Sequence, residues 1–341
     1  MNTIPGTPSI KDVAAAARVS VGTVSNVLNH PEIVAEPTRE RVLGAIARLG
    51  FVRNENARHL RARSSRVVGL IVLDASNPFE MGVAAGVADA AEAAGCALML
   101  GSSAGSLERE RRYVNLFEEQ RVRGLLITPT HLGPPNVSGL ARRGIPVVFL
   151  DGHPDRTYSS VAIDDVAGSR VAVEHLLSRG HRRLALVGGP FTLAQMQDRS
   201  RGAEEAVRRH GGNATILTVS TPNLTLQAGI AAADQILVLS PQERPTALFA
   251  ANDLVALGLL QRLLARGVGV PDDIAVIGYD DIEFAAAATV PLSSVRAPRE
   301  ELGMSAAELL FDEIRAREAG EDVRARHVWF EPELVVREST G

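Results

Sequence analysis

Residues 20 to 29 read SVGTVSNVLN, enough chain for about two and a half helical turns. Val24, Val27 and Leu28 recur at the spacing that turns one stripe of a helix inward. The remaining surface carries Ser20, Val21, Gly22, Thr23, Ser25, Asn26 and Asn29, where a solvated helix would carry Lys, Glu or Arg. Ser20 has the chemistry of an N-cap, its hydroxyl accepting from a backbone N–H two or three residues on. Such a helix is anchored on one side and small, polar and uncharged on the other, a surface suited to close approach by a partner.

The flanking sequence supplies its neighbours. IKDVAAAA (10 to 17) favours a helix with Ile10, Val13, Ala14 and Ala17 on one face, and RVS breaks the pattern before Ser20. After HPEIVAE, Pro37 suits a first helical turn, and a third helix is expected from about Thr38 to Leu49, with Val42, Ile46 and Leu49 apolar. Three short helices with a tight turn between the first two predict an all-α helix-turn-helix domain over residues 1 to 53. In such a unit the second helix enters the major groove with its N-terminal residues against base edges. Gly22 and Ser25 then permit close approach, the hydroxyls of Thr23 and Ser25 bond phosphates, and Asn26 reads a base edge.

Charge is divided to match. The net charge of −4 hides a basic start: residues 1 to 66 hold ten Lys or Arg against five Asp or Glu, a local +5, which leaves −9 on the remainder. Only the first part is suited to a polyanion. At 341 residues, 45% of them hydrophobic, the chain is long enough for two or three folded units. MNTIPGTPSIKD lacks the apolar core of a signal peptide and no run of 18 apolar residues occurs, so a cytoplasmic protein without a membrane partner is expected. The single cysteine, Cys96, lies in the apolar run CALML and is read as core packing.

NENARHLRARSS (54 to 65) follows the third helix. Asn54 can cap a short helix with Ala57 and Leu60 on one side, while Arg58, Arg61 and Arg63 can neutralise phosphates. Residues 54 to 66 are therefore set apart as a linker.

Beyond residue 66 the texture changes. VVGLIVLD (67 to 74), CALMLGSS (96 to 103), GLLITPT (124 to 130), VVFLD (147 to 151), RRLALVGG (182 to 189), TALFAAND (246 to 253) and DIAVIGYDD (273 to 281) are apolar runs separated by helical stretches. This pattern predicts parallel sheets covered by helices on both faces. Ligands of open α/β sheets bind outside the carboxyl ends of the strands. There lie Asn77, Phe79, Asp151, Asn252, Asp253 and Asp280, with Arg199 in the loop-to-helix stretch after GGP. Carboxylates, amides, a guanidinium and an aromatic face suit a polyhydroxylated sugar.

SIKDVAAAARVSVGTVSNVLN, continued by VAEPTRERVLGAIARLGFVRNENARHLRARSSRVVGLIV, resembles the N-terminal signature of the LacI/GalR family of bacterial transcription regulators, and similarity extends over essentially the whole chain. The resemblance implies that Val21, Gly22 and Asn26 carry much of the operator preference, with Asn26 standing where many relatives have Arg. It implies that the linker is a hinge helix that orders on DNA, Leu60 wedging into the minor groove at the operator centre. The body, residues 67 to 341, is then a periplasmic-binding-protein-like pair of doubly wound parallel-sheet subdomains. The chain would cross between them near Asp164, Arg296 and Arg324, giving an N-subdomain of about 67–163 and 296–323 and a C-subdomain of about 164–295 and 324–341. Positions matching Arg199, Asn252 and Asp280 are commonly effector contacts, and Asp164 looks like a crossover or cap residue. Glu80 stands where many relatives carry a second aromatic, and Leu193, Gln195 and Leu224 occupy variable pocket positions. The resemblance further implies a homodimer on a pseudopalindromic double-stranded operator, most readily a repressor responding to a sugar.

Other readings stay open beside it. The effector could be a nucleobase or a partner protein, and a transport protein that binds sugar would share the body's fold. GSSAG (101 to 105) matches the G-x-S-x-G pattern of a nucleophile elbow, but the match is short and Ser106 can cap the helix that follows. No catalytic set, metal site or cofactor motif is assembled, and His181 is read as bracing a turn before a strand.

Overall fold

The computed structural model describes residues 8–51, 65–131, 137–151 and 157–341. The chain divides into two compact units, 1–64 and 65–341.

In the first unit, Ser9 and Asp12 form a capping box that starts α1 (Ile10–Ala17), and Arg18 ends it in a left-handed conformation. Ser20 accepts from the N–H of Thr23 at 3.0 Å and starts α2 (Val21–Asn29). A short 3-10 turn (Pro31–Ile33) leads to α3 (Glu36–Leu49), which begins slightly before the expected Thr38 because Pro37 lies inside its first turn. Gly50 closes α3 at φ +62°. Val13, Ala14, Ala17, Val24, Val27, Val42 and Ala45 form one buried core, so every helix contributes to the same centre.

The second unit alternates strands and helices: β1 (Val67–Val72), α4 (Pro78–Ala93), β2 (Ala97–Ser102), α5 (Leu107–Glu119), β3 (Leu125–Ile127), α6 (Ser138–Arg142), β4 (Val147–Leu150) and β5 (Ser159–Ile163). It continues through α7 (Asp165–Ser178), β6 (Arg183–Gly188), α8 (Ala194–His210), β7 (Thr215–Ser220), α9 (Leu226–Leu237), β8 (Ala247–Ala250), α10 (Asp253–Ala265) and β9 (Ala275–Asp280). The last elements are α11 (Glu283–Ala286), β10 (Ser293–Arg296), α12 (Arg299–Glu318), β11 (His327–Phe330), β12 (Glu333–Val335) and a terminal 3-10 turn (Glu338–Thr340). They form two six-stranded sheets, ordered β11-β5-β4-β3-β1-β2 and β12-β10-β9-β8-β6-β7. Neighbours are parallel except for β10 and β12.

Each sheet is buried on both faces, as continuous apolar strands require. Along β1, Val68, Leu70 and Val72 join the core under α4 and α12, while Ile71 joins the core under α5. Cys96 lies in the former core. Paired helices cross where glycine removes the side chain: a Cβ on Gly86 of α4 would collide with the carbonyl oxygen of Glu300, and one on Gly303 of α12 with that of Val83.

The chain leaves the first sheet after β5, through Asp164, whose carboxylate caps α7 by accepting from Ala167 N at 2.8 Å. It leaves the second sheet after β10, through Ala297 and Pro298. The third crossing, expected near Arg324, lies instead at Glu331 and Pro332. His327–Phe330 pairs in parallel with β5, so β11 belongs to the N-subdomain and only β12 onward to the other. Of the linker, residues 54–64 lie outside the described residues, and with them Ala57, Arg58, Leu60, Arg61 and Arg63.

Candidate functional site

Two surfaces carry the residues singled out in the sequence. In the helical unit, Val24 and Val27 are buried, whereas Ser20, Val21, Gly22, Asn26 and Asn29 are exposed and Thr23 and Ser25 partly so. Val21 is 42% exposed, an apolar side chain displayed at the N-terminal turn of α2. Two pairs of polar side chains are already engaged locally. The hydroxyls of Ser20 and Thr23 lie 2.9 Å apart, and Asn29 Nδ2 donates to Ser25 O at 2.9 Å and to Ser25 Oγ at 3.2 Å. Asn29 thus braces the helix end, and Asn26 is the exposed amide nearer the N-terminal turn.

Gly22 tests whether this surface is built for the fold or for a partner. A Cβ there would meet only Ser20 Oγ, at an ordinary 3.6 Å. Glycine in a helix costs up to about 1 kcal/mol relative to alanine. Gly22→Ala is therefore expected to leave the unit equally or more stable in thermal unfolding while weakening DNA binding in a mobility-shift titration. Unchanged DNA affinity would show that α2 does not approach DNA at this position.

In the body, a cavity of about 230 Å³ opens between the carboxyl ends of the two sheets. Asn77, Phe79, Asp151, Gln195, Arg199, Leu224, Asn252 and Asp280 all line it. Both subdomains contribute alike: Asp151 follows β4 and Asp280 ends β9, each at positive φ (+47° and +103°), a costly conformation for a non-glycine residue that turns each strand end at the cleft. Asn77 and Asn252 double as N-caps of α4 and α10, accepting from Phe79 N at 3.0 Å and Val255 N at 2.9 Å. Asn252 Nδ2 also donates to Leu224 O at 3.1 Å.

Arg199 is the hub. Only 3% exposed, it donates from Nε to Asp165 Oδ1 at 2.9 Å and from Nη1 to Ala251 O, and its guanidinium lies 3.8 Å from the centre of the Tyr279 ring. Burial pushes the Asp165 carboxyl up, and the charge of Arg199 opposes that push. Sequence reading found neither Asp165 nor Tyr279. A first-turn helix Asp and a strand-interior Tyr acquire roles only once α7, α8 and β9 converge. Lining residues it also left out include Asp74, Pro190, Asn223 and Thr225, while Glu80, noted as a departure from relatives, proves 93% buried on the cavity wall.

The carboxylates stand in an unusual electrostatic setting. Burial raises Asp280 to about 7, opposed by the charge of Arg199 and a hydrogen bond from Asn77. Burial and the neighbouring Asp165 raise Asp151 to about 7, and burial with Asp151, Asp280 and Asp74 nearby lifts Glu80 well above the carboxylate range. A folded-state pKa above the unfolded value means that stability falls as pH rises from about 4 through about 7, because the folded chain holds protons the unfolded chain releases. Asp280→Asn, which mimics the protonated acid, is expected to exceed the parent in stability by more at pH 8 than at pH 5, the gap widening by a few kcal/mol at about 1.4 kcal/mol per pKa unit. Denaturant unfolding at the two pH values measures this, and an equal difference at both would contradict it.

Other sequence motifs take structural places. Ser103 of GSSAG is buried and donates to Val72 O at 3.3 Å, and Ser106 caps α5. His181 shares a 3.0 Å hydrogen bond with Thr246, joining the turns before β6 and β8. Asp253 lies behind the cleft wall, accepting from Ser294 Oγ at 2.6 Å and from Ile282 N at 2.8 Å.

A helix-turn-helix unit joined to a two-sheet body with a polar cleft is the layout of a DNA-binding regulator, and comparison with known proteins agrees. Residues 9–54 match the family described as bacterial regulatory proteins, lacI family, and residues 173–340 match the periplasmic binding protein-like domain. The chain belongs to the LacI/GalR family of bacterial transcription regulators. It is 34% identical over 333 residues to the HTH-type transcriptional repressor PurR of Vibrio cholerae serotype O1 (strain M66-2), covering 97% of each chain. Among solved structures it resembles a transcriptional regulator CelR–cellobiose complex (34% identity, TM-score 0.71, 97% of this chain and 99% of that one). It also resembles the lac repressor dimer bound to operator and the anti-inducer ONPF (26% identity, TM-score 0.80, 98% and 99%).

Proposed function

We propose that this repressor binds a pseudopalindromic operator as a homodimer and that a small molecule in the cleft, a sugar, sets its operator affinity. One observation carries the reading: the eight residues expected at the effector site, scattered from Asn77 to Asp280, line one cavity to which both sheets contribute. The eight include acceptors, a guanidinium and the ring of Phe79, the groups that match vicinal hydroxyls and the apolar face of a pyranose. A sugar is further supported by one solved relative being a cellobiose complex.

Val21, Gly22 and Asn26 are assigned to the bases, with Ser20, Thr23, Ser25 and Asn29 at the backbone or bracing the helix. Ala57, Arg58, Leu60 and Arg61 are assigned to the hinge, Leu60 as the minor-groove wedge. Ligand in the cleft favours one relative orientation of the two subdomains, and the hinges of the dimer pair or separate accordingly. Operator and effector then change each other's affinity by the same factor. The test is to select a preferred duplex from a random pool and titrate it with and without saturating sugar. A shift of roughly 5- to 150-fold is expected for an allosteric coupling of ordinary size, and equal affinities across a panel of sugars, sugar phosphates and purines would refute effector control.

A further inference from the structure

The cleft is out of balance in charge. Among the described residues, Asp74, Glu80, Asp151 and Asp280 line it against one lining cation, Arg199, whose Nε and Nη1 are already bound to Asp165 and to Ala251 O. Among the described residues, two lining side chains hold a buried acceptor with no donor: Gln195, 93% buried, leaves Oε1 unpartnered, and Asp151 leaves Oδ1 unpartnered. The same two side chains also border a smaller void of about 10 Å³ shared with Asp165, Asp198 and Trp329, scarcely the volume of one water. The wall therefore asks for donors and for positive charge. Buried carboxylates are tolerated when paired, protonated or neutralised by a ligand.

We propose that the effector is a polyol bearing a protonated amine, an amino sugar, with its ammonium set among Glu80, Asp151 and Asp280. This deepens the sugar reading above and rests on it. An ammonium has three N–H donors and no acceptor, so it can serve the lining carboxylates without creating a new unpartnered group. A neutral sugar supplies donors but no charge to offset the lining carboxylates, and a phosphate or carboxylate on the ligand adds repulsion. The raised pKa values of Glu80, Asp151 and Asp280 follow from the same geometry: burial and neighbouring carboxylates outweigh the charge of Arg199, and protons supply the remaining compensation. Amine binding then releases those protons.

Matched pairs decide it by isothermal titration of the full-length protein: glucosamine against glucose, galactosamine against galactose, N-acetylglucosamine, and glucose 6-phosphate. At least one amine is expected to bind about 10-fold or more tightly than its hydroxyl parent, the difference between a charge-assisted and a neutral hydrogen bond. N-Acetylation, which removes the charge, should abolish the advantage. Glu80→Gln should narrow the ratio of amine to parent, and because it removes a buried acid it is expected to fold. Equal or tighter binding of a parent sugar or of the phosphate, or no binding of either amine at millimolar concentration, overturns the amine assignment. Operator affinity measured on the same panel separates the two readings. A neutral sugar or purine that shifts it leaves effector control standing without the amine, whereas amine binding that leaves operator affinity untouched upholds the ligand class and removes the control.

Discussion

Arg199→Met is expected to destabilise the body by about 3–5 kcal/mol, the cost of removing one partner from a buried pair. The change strands Asp165, 4% exposed, and removes the positive charge that opposes burial at Asp151 and Asp280. It also takes away the cation over the Tyr279 ring and the donor to Ala251 O at the end of β8. Denaturant unfolding provides the measurement. Adding Asp165→Asn should recover part of the loss, since the stranded charge is then gone. A loss below about 1 kcal/mol, the level of an exposed pair, would mean that water enters the site and screens it.

Gly303→Ala should cost about 2–3 kcal/mol, at the high end for overpacking, although alanine is the better helix former. The added Cβ would run into the carbonyl oxygen of Val83, which is backbone and cannot rotate away, and the reciprocal contact of Gly86 with Glu300 keeps the two helices from shifting to make room. The opposite sign is expected at Gly22, where space is open. If Gly303→Ala proved neutral by thermal unfolding, α4 and α12 would have to separate without loss of packing.

These two sites mark what the sequence could and could not disclose. The helix-turn-helix was legible because Val24, Val27 and Leu28 repeat at helical spacing and Ser20 is a cap chemically suited to start the helix. Seven of the twelve strands among the described residues announced themselves as apolar runs. The other five did not, for local reasons. β5 and β10 each open with two serines, polar by composition but buried because Ser159 bonds Glu313, Ser160 bonds His327, and Ser294 bonds Asp253. β7 is the outer edge of its sheet and mostly exposed, so its alternation of Thr and apolar residues carries little hydrophobic signal. β11 and β12 are short, and only pairing with β5 and β10 tells which sheet each joins, which is why the crossing fell at Glu331 and Pro332 instead of near Arg324.

The cleft was legible to the extent that it follows from strand order. Ligand residues sit beyond strand ends, and strand ends can be read from where apolar runs stop. What holds those residues cannot be read this way. Asp165 and Tyr279 lie far apart in sequence and meet Arg199 only through the packing of α7 and α8 on β9. Glu80, in the first turn of α4, looks like a helix-starting acid favoured by the helix dipole. Its burial against Asp151 and Asp280 is a property of two subdomains brought together.

The crossings between the sheets are short: Asp164 alone, Ala297 with Pro298, and Glu331 with Pro332. A tether of one or two residues spans at most about 7 Å, so three of them side by side forbid the halves to slide or part. What they leave is rotation about the line of the tethers, closer to one degree of freedom than to six. Any ligand that fits the cleft must therefore express its preference through the same angular coordinate, whatever its chemistry.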